Sequence, residues 1–312
     1  MKRIFSATAL ALICSSAALS QTGNAPFSIA ETGQGFARLS EAVDAIGGGN
    51  GTIVIANGTY GDCAVQEDGN ITYRAATAGA VIFDGGICED KATFVLRGKS
   101  AVVDGIIFQN LSVADGNGSG IRIEKGNLSV IESLFRDSEE GILSADDPSS
   151  HIKIDKSTFS HLGRCDRGLS CAHSIYLGDY GSLTVTRSRF EKGNGGHYVK
   201  SRAGKTHITD NSFDDTNGRT TNYMIDLPAG STGVIAQNEF VQGKNKENHS
   251  AIIAVAAEGI NHSSNGLSIH SNNASLAAGV SYSTYFVADW SGDTLNIGPN
   301  KIGQGIKRFD RR

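Results

Sequence analysis

Apolar and polar residues alternate in five short segments of the chain, and each segment ends in phenylalanine. The segments are LSVIESLF (128–135), IKIDKSTF (152–159), LTVTRSRF (183–190), HITDNSF (207–213) and VIAQNEF (234–240). A period of two indicates β-strands whose side chains point alternately to the two faces of a sheet. Consecutive terminal phenylalanines are 23 to 31 residues apart, and short strands repeating at this spacing predict a solenoid. We therefore predict an all-β fold, a right-handed parallel β-helix.

Two columns of equivalent side chains are expected to run along this β-helix. The five phenylalanines would form an internal aromatic stack. A Ser or Asn two residues before each Phe would form a hydrogen-bond ladder at the turn, made of Ser133, Ser157, Ser188, Asn211 and Asn238. AVVDGIIF, which ends at Phe108, and LSIHSNN (267–273) resemble degenerate members of the repeat. The leucine pattern of a leucine-rich repeat is missing, and a β-sandwich would not keep phenylalanine in phase over five units.

Residues 38–46 form a good candidate for an amphipathic helix. Leu39, Ala42, Val43 and Ile46 are spaced to make one apolar stripe, and three glycines follow it. We expect this short helix to cap the N-terminal end of a β-helix whose turns run roughly over residues 50–302. The basic tail KRFDRR (307–312) is expected to be mobile.

The first twenty residues have the pattern of a secretory signal peptide. Lys2 and Arg3 precede an apolar run that is too short to span a bilayer, and Ala18-Leu19-Ser20 fits a cleavage site. We expect a single mature domain, residues 21–312, in a secreted or periplasmic location. Cleavage removes two of the 28 basic residues and none of the 32 acidic ones, which leaves a net charge of −6. We predict a monomer that neither binds nucleic acid nor inserts into a membrane.

Four cysteines remain after cleavage, an even number in an oxidising compartment. We predict the disulfides Cys63–Cys88 and Cys165–Cys171, the second of which closes the small loop CDRGLSC. Four cysteines permit three pairings, and the sequence alone does not choose among them. The sequence has no CxxC pair, which argues against a metal site built from these cysteines.

Residues 35–302 resemble the pectate-lyase-like superfamily of exported right-handed parallel β-helix proteins. The resemblance rests on the periodicity of the turns, the cap helix and the segment GTIVIANGTY (51–60), which would open the first turn. It implies a β-helix that acts on polysaccharide or binds it. The superfamily includes lyases, hydrolases, esterases, epimerases and non-catalytic adhesins, so the activity has to be argued from the side chains.

The phenylalanines also align three further strands, HSIYLG (173–178), HYVKSR (197–202) and YMIDLP (223–228). Strand alternation places one side chain of each on the outer face of successive turns, about 4.8 Å apart; these are Tyr176, Lys200 and Asp226. A second column at the strand starts contains His173, His197 and Tyr223, and Arg202 follows Lys200 by two residues. The equivalent outward positions in neighbouring turns are predicted to be Arg122, Leu143 and Ile253.

These side chains supply the groups that β-elimination in a uronate polymer requires. The reaction needs a cation for the C5 carboxylate, a base for the C5 proton and an acid for the leaving oxygen. We expect Arg202 to bind the carboxylate, Lys200 to act as base, and His197 and Tyr223 to complete the catalytic set. His173 is a further candidate base and Tyr176 a further candidate acid. The predicted substrate-binding residues are His173, Tyr176, Asp226 and, from the small disulfide loop, Arg167.

The segment YVKSR (198–202) also resembles the strand-borne Lys-Ser step of alginate- and chondroitin-type β-helix lyases. That resemblance implies that Lys200 is the base. Those lyases carry their arginine on a later turn, where this sequence has IDLPAG (225–230), and their calcium-binding carboxylates have no clear match. A calcium ion remains an open alternative, with Asp214, Asp215 and Asp226 as candidate ligands. No other cofactor is predicted.

We therefore expect an exported lyase whose partner is an acidic polysaccharide, and three alternatives remain open. A glycoside hydrolase would need carboxylates that face one another, and the column offers only Asp226. A non-catalytic glycan-binding or surface protein would use the same Arg, Tyr and His side chains. The simplest alternative is a solvated strand face on which Lys200 and Asp226 form an ion pair.

Overall fold

The chain winds into a parallel β-solenoid of about nine turns, which confirms the predicted fold class. The computed structural model describes residues 25–312, so the predicted signal peptide lies outside the described residues. Three sheets of 12, 10 and 10 strands run along the solenoid. Strands in successive turns pair in parallel. Among the strands of residues 25–312, the exception is Phe27–Ile29, which pairs antiparallel with Gly35–Phe36 and with Asn50–Ile55.

Each turn contributes one strand to each sheet, and we name the sheets the long sheet, the aromatic sheet and the site sheet. The long sheet contains Phe27–Ile29, Gly35–Phe36, Asn50–Ile55, Asn70–Ala75, Ser100–Asp104, Asn127–Ile131, Asp147–Asp155, Tyr180–Thr186, Lys205–Thr209, Thr232–Ala236, Ser268–His270 and Asn296–Ile297. The aromatic sheet contains Gly58–Tyr60, Val81–Asp84, Ile106–Gln109, Leu134–Ser138, Thr158–Leu162, Arg189–Glu191, Ser212–Asp214, Glu239–Gln242, Asn273–Leu276 and Lys301–Ile302. The site sheet contains Ala64–Gln66, Ala92–Leu96, Ser119–Ile123, Glu140–Ser144, Ile175–Leu177, Val199–Ser201, Ile225–Leu227, Ala251–Val255, Thr284–Asp289 and Ile306–Arg311.

The predicted phenylalanine column is the interior of the aromatic sheet. Strand pairing places equivalent phenylalanines opposite one another, and their rings stack with centroids 4.7 to 5.0 Å apart from Phe108 through Phe240. Phe83, which was not predicted, extends the stack by one turn. Ala274 occupies the next equivalent position after Phe240, and Phe286 of the site sheet packs edge-on against Phe240 there. The phenylalanine column therefore forms a continuous buried core inside the solenoid, covered by the other two sheets.

The predicted Ser/Asn ladder is also present. Each side-chain oxygen accepts a hydrogen bond from the backbone N–H of the equivalent residue one turn earlier; Ser133 N–H donates to Ser157 Oγ (3.3 Å) and Asn211 N–H to Asn238 Oδ1 (3.0 Å). The ladder continues beyond the predicted members to Asn272 and Asn300. These buried polar side chains are satisfied by the neighbouring turn, so the ladder favours one register between turns.

Different elements close the two ends of the solenoid. The helix Leu39–Ile46 buries Leu39, Ala42 and Val43 at the N-terminal end, which confirms the cap. The expectation of a mobile tail was wrong, because Ile306–Arg311 pairs with Thr284–Asp289 and completes a further turn. Arg312 stacks over Trp290, with 4.7 Å between its Cζ and the ring, so basic residues at this end are held by pairing and by aromatic contact.

Both predicted disulfides are present. The Cα atoms are 5.6 Å apart in Cys63–Cys88 and 4.4 Å apart in Cys165–Cys171. Two disulfides are compatible with export to an oxidising compartment. Residues 25–312 contain no helix that is long and apolar enough to cross a membrane.

Candidate functional site

The strand register places the predicted outward residues on three successive turns. Tyr176 pairs with Lys200, and Lys200 pairs with Asp226. The upstream neighbours Leu143 and Arg122 also follow the prediction. The downstream neighbour was predicted wrongly. Ala254 is opposite Asp226, whereas Ile253 is opposite Ile225 and buried in the core, because alternation directs it inward.

Lys200 lies on the outer face of the solenoid, yet it is only 8% exposed. Its strand neighbours Val199 and Ser201 are buried in the core. The ammonium Nζ contacts Glu258 Oε1 at 2.6 Å and lies 3.9 Å from Asp226 Oδ2. Lys200 is therefore covered by carboxylates rather than by solvent.

Arg202 completes a clamp around the Glu258 carboxylate. One guanidinium nitrogen, Nη2, donates to Glu258 Oε2 at 2.5 Å, and the other, Nη1, donates to the Tyr176 hydroxyl at 2.5 Å. Lys200 Nζ and Arg202 Cζ lie 5.4 and 5.2 Å from the centroid of the Tyr176 ring. Two cations thus hold the two oxygens of one carboxylate, and a phenol lies beside them.

Two histidines form the inner layer of the site. His173 Nδ1 accepts the backbone N–H of His197 at 2.9 Å and also faces His197 Nδ1 at 3.1 Å. The tautomer of His197 that carries its hydrogen on Nδ1 keeps a lone pair on Nε2. That Nε2 lies 3.5 Å from Asp226 Oδ2. A protonated Asp226 would present its hydrogen to this lone pair.

The protonation states follow from burial. Burial, opposed by the charge of Lys200, raises the pKa of Asp226 to about 7. Burial, together with the charges of Lys200 and Arg202, lowers the pKa of His173 to about 3, and burial also holds the pKa of His197 well below its usual value. Partial burial opposes ionisation of Glu258, but hydrogen bonding to Lys200 and the nearby cations lower the pKa of Glu258 overall. Neutral histidines therefore lie behind an ionised Glu258.

Glu258 was not predicted as a site residue. It belongs to an irregular segment after the strand Ala251–Val255, residues 256–263, which we call the strap. The backbone N–H of Glu258 donates to Pro228 O at 2.9 Å, and His262 Nε2 lies 2.9 Å from Asp179 Oδ1. The strap therefore crosses back over three earlier turns. Its residues follow no strand period, so the repeat gave no signal that Glu258 would reach Lys200.

Glu140 was also missed, although the repeat contains a signal for it. Ile142 pairs with Ile175, so one more backward step along the column of strand starts leads from His173 to Glu140. Glu140 Oε1 accepts the backbone N–H of His173 at 3.1 Å. Burial raises the pKa of Glu140 well above its usual value. Its carboxyl group thus supports the histidine layer from the preceding turn.

Two of the predicted site residues lie at the margin of this cluster. The Tyr223 ring packs on His197 with 5.6 Å between centroids, and its hydroxyl lies 3.3 Å from Ser250 Oγ. Arg167 forms an ion pair with Glu139. Of the predicted acids, Tyr176 is therefore the phenol that lies beside Lys200 and Arg202.

Two of the three aspartates considered as calcium ligands are engaged elsewhere. Asp215 is fully buried, where it pairs with Lys246 Nζ at 3.1 Å and accepts the Tyr198 hydroxyl at 2.7 Å. Asp214 lies 3.5 Å from Arg189. Across residues 25–312, no group of three or more His, Cys, Asp or Glu is arranged to hold a metal ion. Asp215 is a structural ion-pair partner beneath the site.

A groove leads along the outer face of the site sheet to this cluster. It has a volume of about 400 Å³ and is lined by Arg122, Leu143, Asp146, Tyr176 and Arg202, among others. A second hollow of about 150 Å³ shares Asn117, Arg122 and Leu143 with it and extends to Lys91. The groove crosses the strands and can therefore accommodate an extended chain rather than a compact ligand.

Comparisons with known proteins identify no close relative. No family model matches the chain, and no curated protein matches it. Two similar solved structures are ORF18 of Geobacillus virus E2 (11% identity, TM-score 0.44) and the surface protein and adhesin PfbA of Streptococcus pneumoniae (12% identity, TM-score 0.46). The alignments cover 87% and 88% of this chain, 55% of the viral chain and 94% of PfbA. The chain thus spans about half the length of the viral protein.

Asp226→Asn is expected to stabilise the protein at alkaline pH. The pKa of Asp226 rises from 3.8 to about 7 on folding, so its stabilising contribution is complete below pH 3.8 and is lost as the pH rises through 7. Asparagine keeps the neutral form at every pH. The advantage of the variant should grow across this window and reach on the order of 4 kcal/mol above it. Urea unfolding from pH 4 to pH 9 measures the difference.

Asp155→Asn is the matched control, with the opposite sign. The hydrogen bond from Arg187 lowers the pKa of Asp155, so its contribution is present at neutral pH and is lost on acidification. This variant should be less stable than the wild type at pH 7, and the difference should shrink in acid. A stability difference for Asp226→Asn that does not change with pH would show that Asp226 is ionised throughout.

Proposed function

We propose that this protein is an exported polysaccharide lyase that cleaves a uronate-containing polymer by β-elimination in the groove of the site sheet. The observation that carries the proposal is the grip of Lys200 and Arg202 on the two oxygens of one carboxylate, at 2.6 and 2.5 Å, with the Tyr176 hydroxyl on the same guanidinium. Scission of a uronate by elimination requires a cation for the carboxylate, a base and a proton donor, and Arg202, Lys200 and Tyr176 would supply one of each.

Each side chain has a distinct role in the proposed reaction. Arg202 would hold the substrate carboxylate and stabilise the charge that develops when C5 loses its proton. Lys200 would take that proton. Tyr176 accepts a hydrogen bond from Arg202, so its own hydrogen is available for the glycosidic oxygen at C4. The C5–H and C4–O bonds break, a C4–C5 double bond forms, and the leaving oxygen gains a proton.

The inner layer would restore the base after each turnover. Asp226 Oδ2 lies between Lys200 Nζ, at 3.9 Å, and His197 Nε2, at 3.5 Å. With a pKa of about 7, Asp226 can exchange a proton at neutral pH. The neutral histidines behind it keep further positive charge away from Lys200. Asp226, His197 and His173 are thus positioning residues, whereas Lys200, Arg202 and Tyr176 would touch the substrate.

Incubation of the purified protein with alginate, pectate, glucuronan, chondroitin and bacterial exopolysaccharides tests this proposal. We expect at least one polymer to yield the ultraviolet absorbance of an unsaturated uronate. Release of reducing ends without that absorbance would indicate that the protein is a hydrolase and not a lyase. Retention of a polymer without any cleavage would show a glycan-binding protein.

A further inference from the structure

The Glu258 carboxylate occupies the position that the substrate carboxylate needs. Both of its oxygens are engaged, one by Lys200 Nζ and the other by Arg202 Nη2. We infer that Glu258 is an internal competitor, which closes the carboxylate subsite in the free protein and has to be displaced by the uronate. This inference rests on the proposed function of the groove, and it assigns to the strap a role in selecting the substrate.

The layering of the side chains supports displacement from outside. The Glu258 side chain is 46% exposed, whereas the side chains of Lys200 and Arg202 are 11% and 27% exposed. The carboxylate therefore forms the outer layer over two cations, of which Arg202 lines the groove. Removal of this layer would open Lys200 without disturbing its buried strand neighbours Val199 and Ser201.

Between Glu258 and His262 the strap is attached by a small number of bonds. Glu258 N–H bonds to Pro228 O, and the N–H groups of Asn261 and His262 both bond to Ala229 O, each at 2.9 Å. The His262 ring reaches Asp179. Ile260 is 61% exposed and contributes little apolar packing. A surface segment with few buried contacts opens at a lower free energy than the sheets that support it.

The chemistry of the pair explains which ligands would open the strap. An ammonium bound this closely to Glu258 has no lone pair with which to accept the C5 proton, so the closed form is inactive. A neutral sugar offers no replacement for the carboxylate and would leave both cations without their anion. A uronate brings a carboxylate that Arg202 can hold in place of Glu258, so it can compete. Lys200, no longer paired with Glu258, would then pass its proton to Asp226, 3.9 Å away, and act as the base. The strap therefore favours acidic over neutral polysaccharides.

Calorimetric titration of Glu258→Gln with hexamers of glucuronate, galacturonate and mannuronate tests the inference. If the open form is a minor state of about 10% or less, removal of the competitor should tighten the apparent Kd for the accepted hexamer by about tenfold or more. A glucose hexamer should bind no more tightly than to the wild type. His262→Gln loosens the strap without altering Glu258 and should tighten binding in the same direction, by a smaller factor.

Glu191→Gln is the matched control. Glu191 also bridges a lysine and an arginine, with 3.4 Å to Lys192 Nζ and 2.6 Å to Arg189 Nε, but it lies on the aromatic sheet, away from the groove. Tightening by Glu258→Gln and not by Glu191→Gln supports the inference. Equal tightening by the two variants would mean that the change in net charge, and not the removal of a competitor, explains the result. An unchanged Kd in both Glu258→Gln and His262→Gln would overturn it.

The proposed function fails independently of this result. Tighter binding of a uronate hexamer by Glu258→Gln, without an unsaturated product from any polymer, would keep the competitor and reject the lyase. Unsaturated product from the wild type, with an unchanged Kd in the variants, would keep the lyase and reject the competitor. A large fall in the kcat of Glu258→Gln with no change in KM would assign Glu258 to the chemical step instead.

Discussion

Lys200→Met is expected to abolish cleavage while leaving the protein folded. Methionine keeps the apolar stem of the side chain and removes only the Nζ that would accept the C5 proton. Loss of a general base lowers kcat by about 10²- to 10⁴-fold. The rate of absorbance increase on the best polymer measures the effect. Asp226 loses a positive neighbour in this variant and, because it is buried, takes up its proton, so no unpaired buried charge remains.

Lys192→Met is the matched control for this prediction. Lys192 is an exposed lysine that pairs with Glu191, with 3.4 Å between Nζ and Oε1, on the aromatic sheet rather than the site sheet. Its replacement should leave kcat within about twofold of the wild type, since surface changes away from the site have small effects. If Lys200→Met keeps wild-type activity and Tyr176→Phe does not, the proton acceptor is Tyr176 and the proposed assignment of Lys200 is wrong.

Phe190→Ala is expected to lower the free energy of unfolding by about 3–5 kcal/mol. The Phe190 ring is fully buried between Phe159 and Phe213, with centroids 4.9 and 4.7 Å away. Neighbouring rings in a column fixed by strand pairing cannot collapse into the cavity that the truncation leaves. Urea unfolding followed by circular dichroism measures the loss.

Phe190→Leu and Leu169→Ala are the comparison variants for this prediction. Leucine restores most of the lost volume, so its cost should stay below about 1.5 kcal/mol. Leu169 is 39% exposed in the small disulfide loop, and its truncation should change stability by less than about 0.5 kcal/mol. A cost for Phe190→Ala no larger than that of Phe190→Leu would mean that the column does collapse into the cavity.

The Phe190 variant also tests how the core supports the site. Tyr198 packs edge-on against Phe190 at 6.3 Å, and its hydroxyl donates to the buried Asp215. Tyr198 directly follows His197 in the chain. A cavity under Tyr198 should therefore loosen the histidine layer, and Phe190→Ala should lose activity at temperatures where it is still folded.

Much of the site could be predicted because a β-helix converts sequence period into spatial adjacency. Once the phenylalanines set the register, Tyr176, Lys200 and Asp226 had to lie on neighbouring turns, since parallel pairing repeats the same position every turn. His173 and His197 followed by the same count, and Arg202 by alternation along its strand. The error at Ile253 came from a shift of one residue, which moves a side chain to the opposite face.

The tertiary structure alone determined what covers these residues. Glu258 reaches Lys200 from 58 residues away on a strap without strand periodicity, and no count along the repeat leads to it. The repeat likewise does not indicate that Asp215 pairs with Lys246, which comes from an irregular segment. Nor does it indicate the raised pKa of Asp226, which depends on burial by neighbouring turns. The chain's period determines which strand positions become neighbours. Loop paths, burial and charge pairing depend on non-periodic contacts, and these are defined only when the turns are stacked.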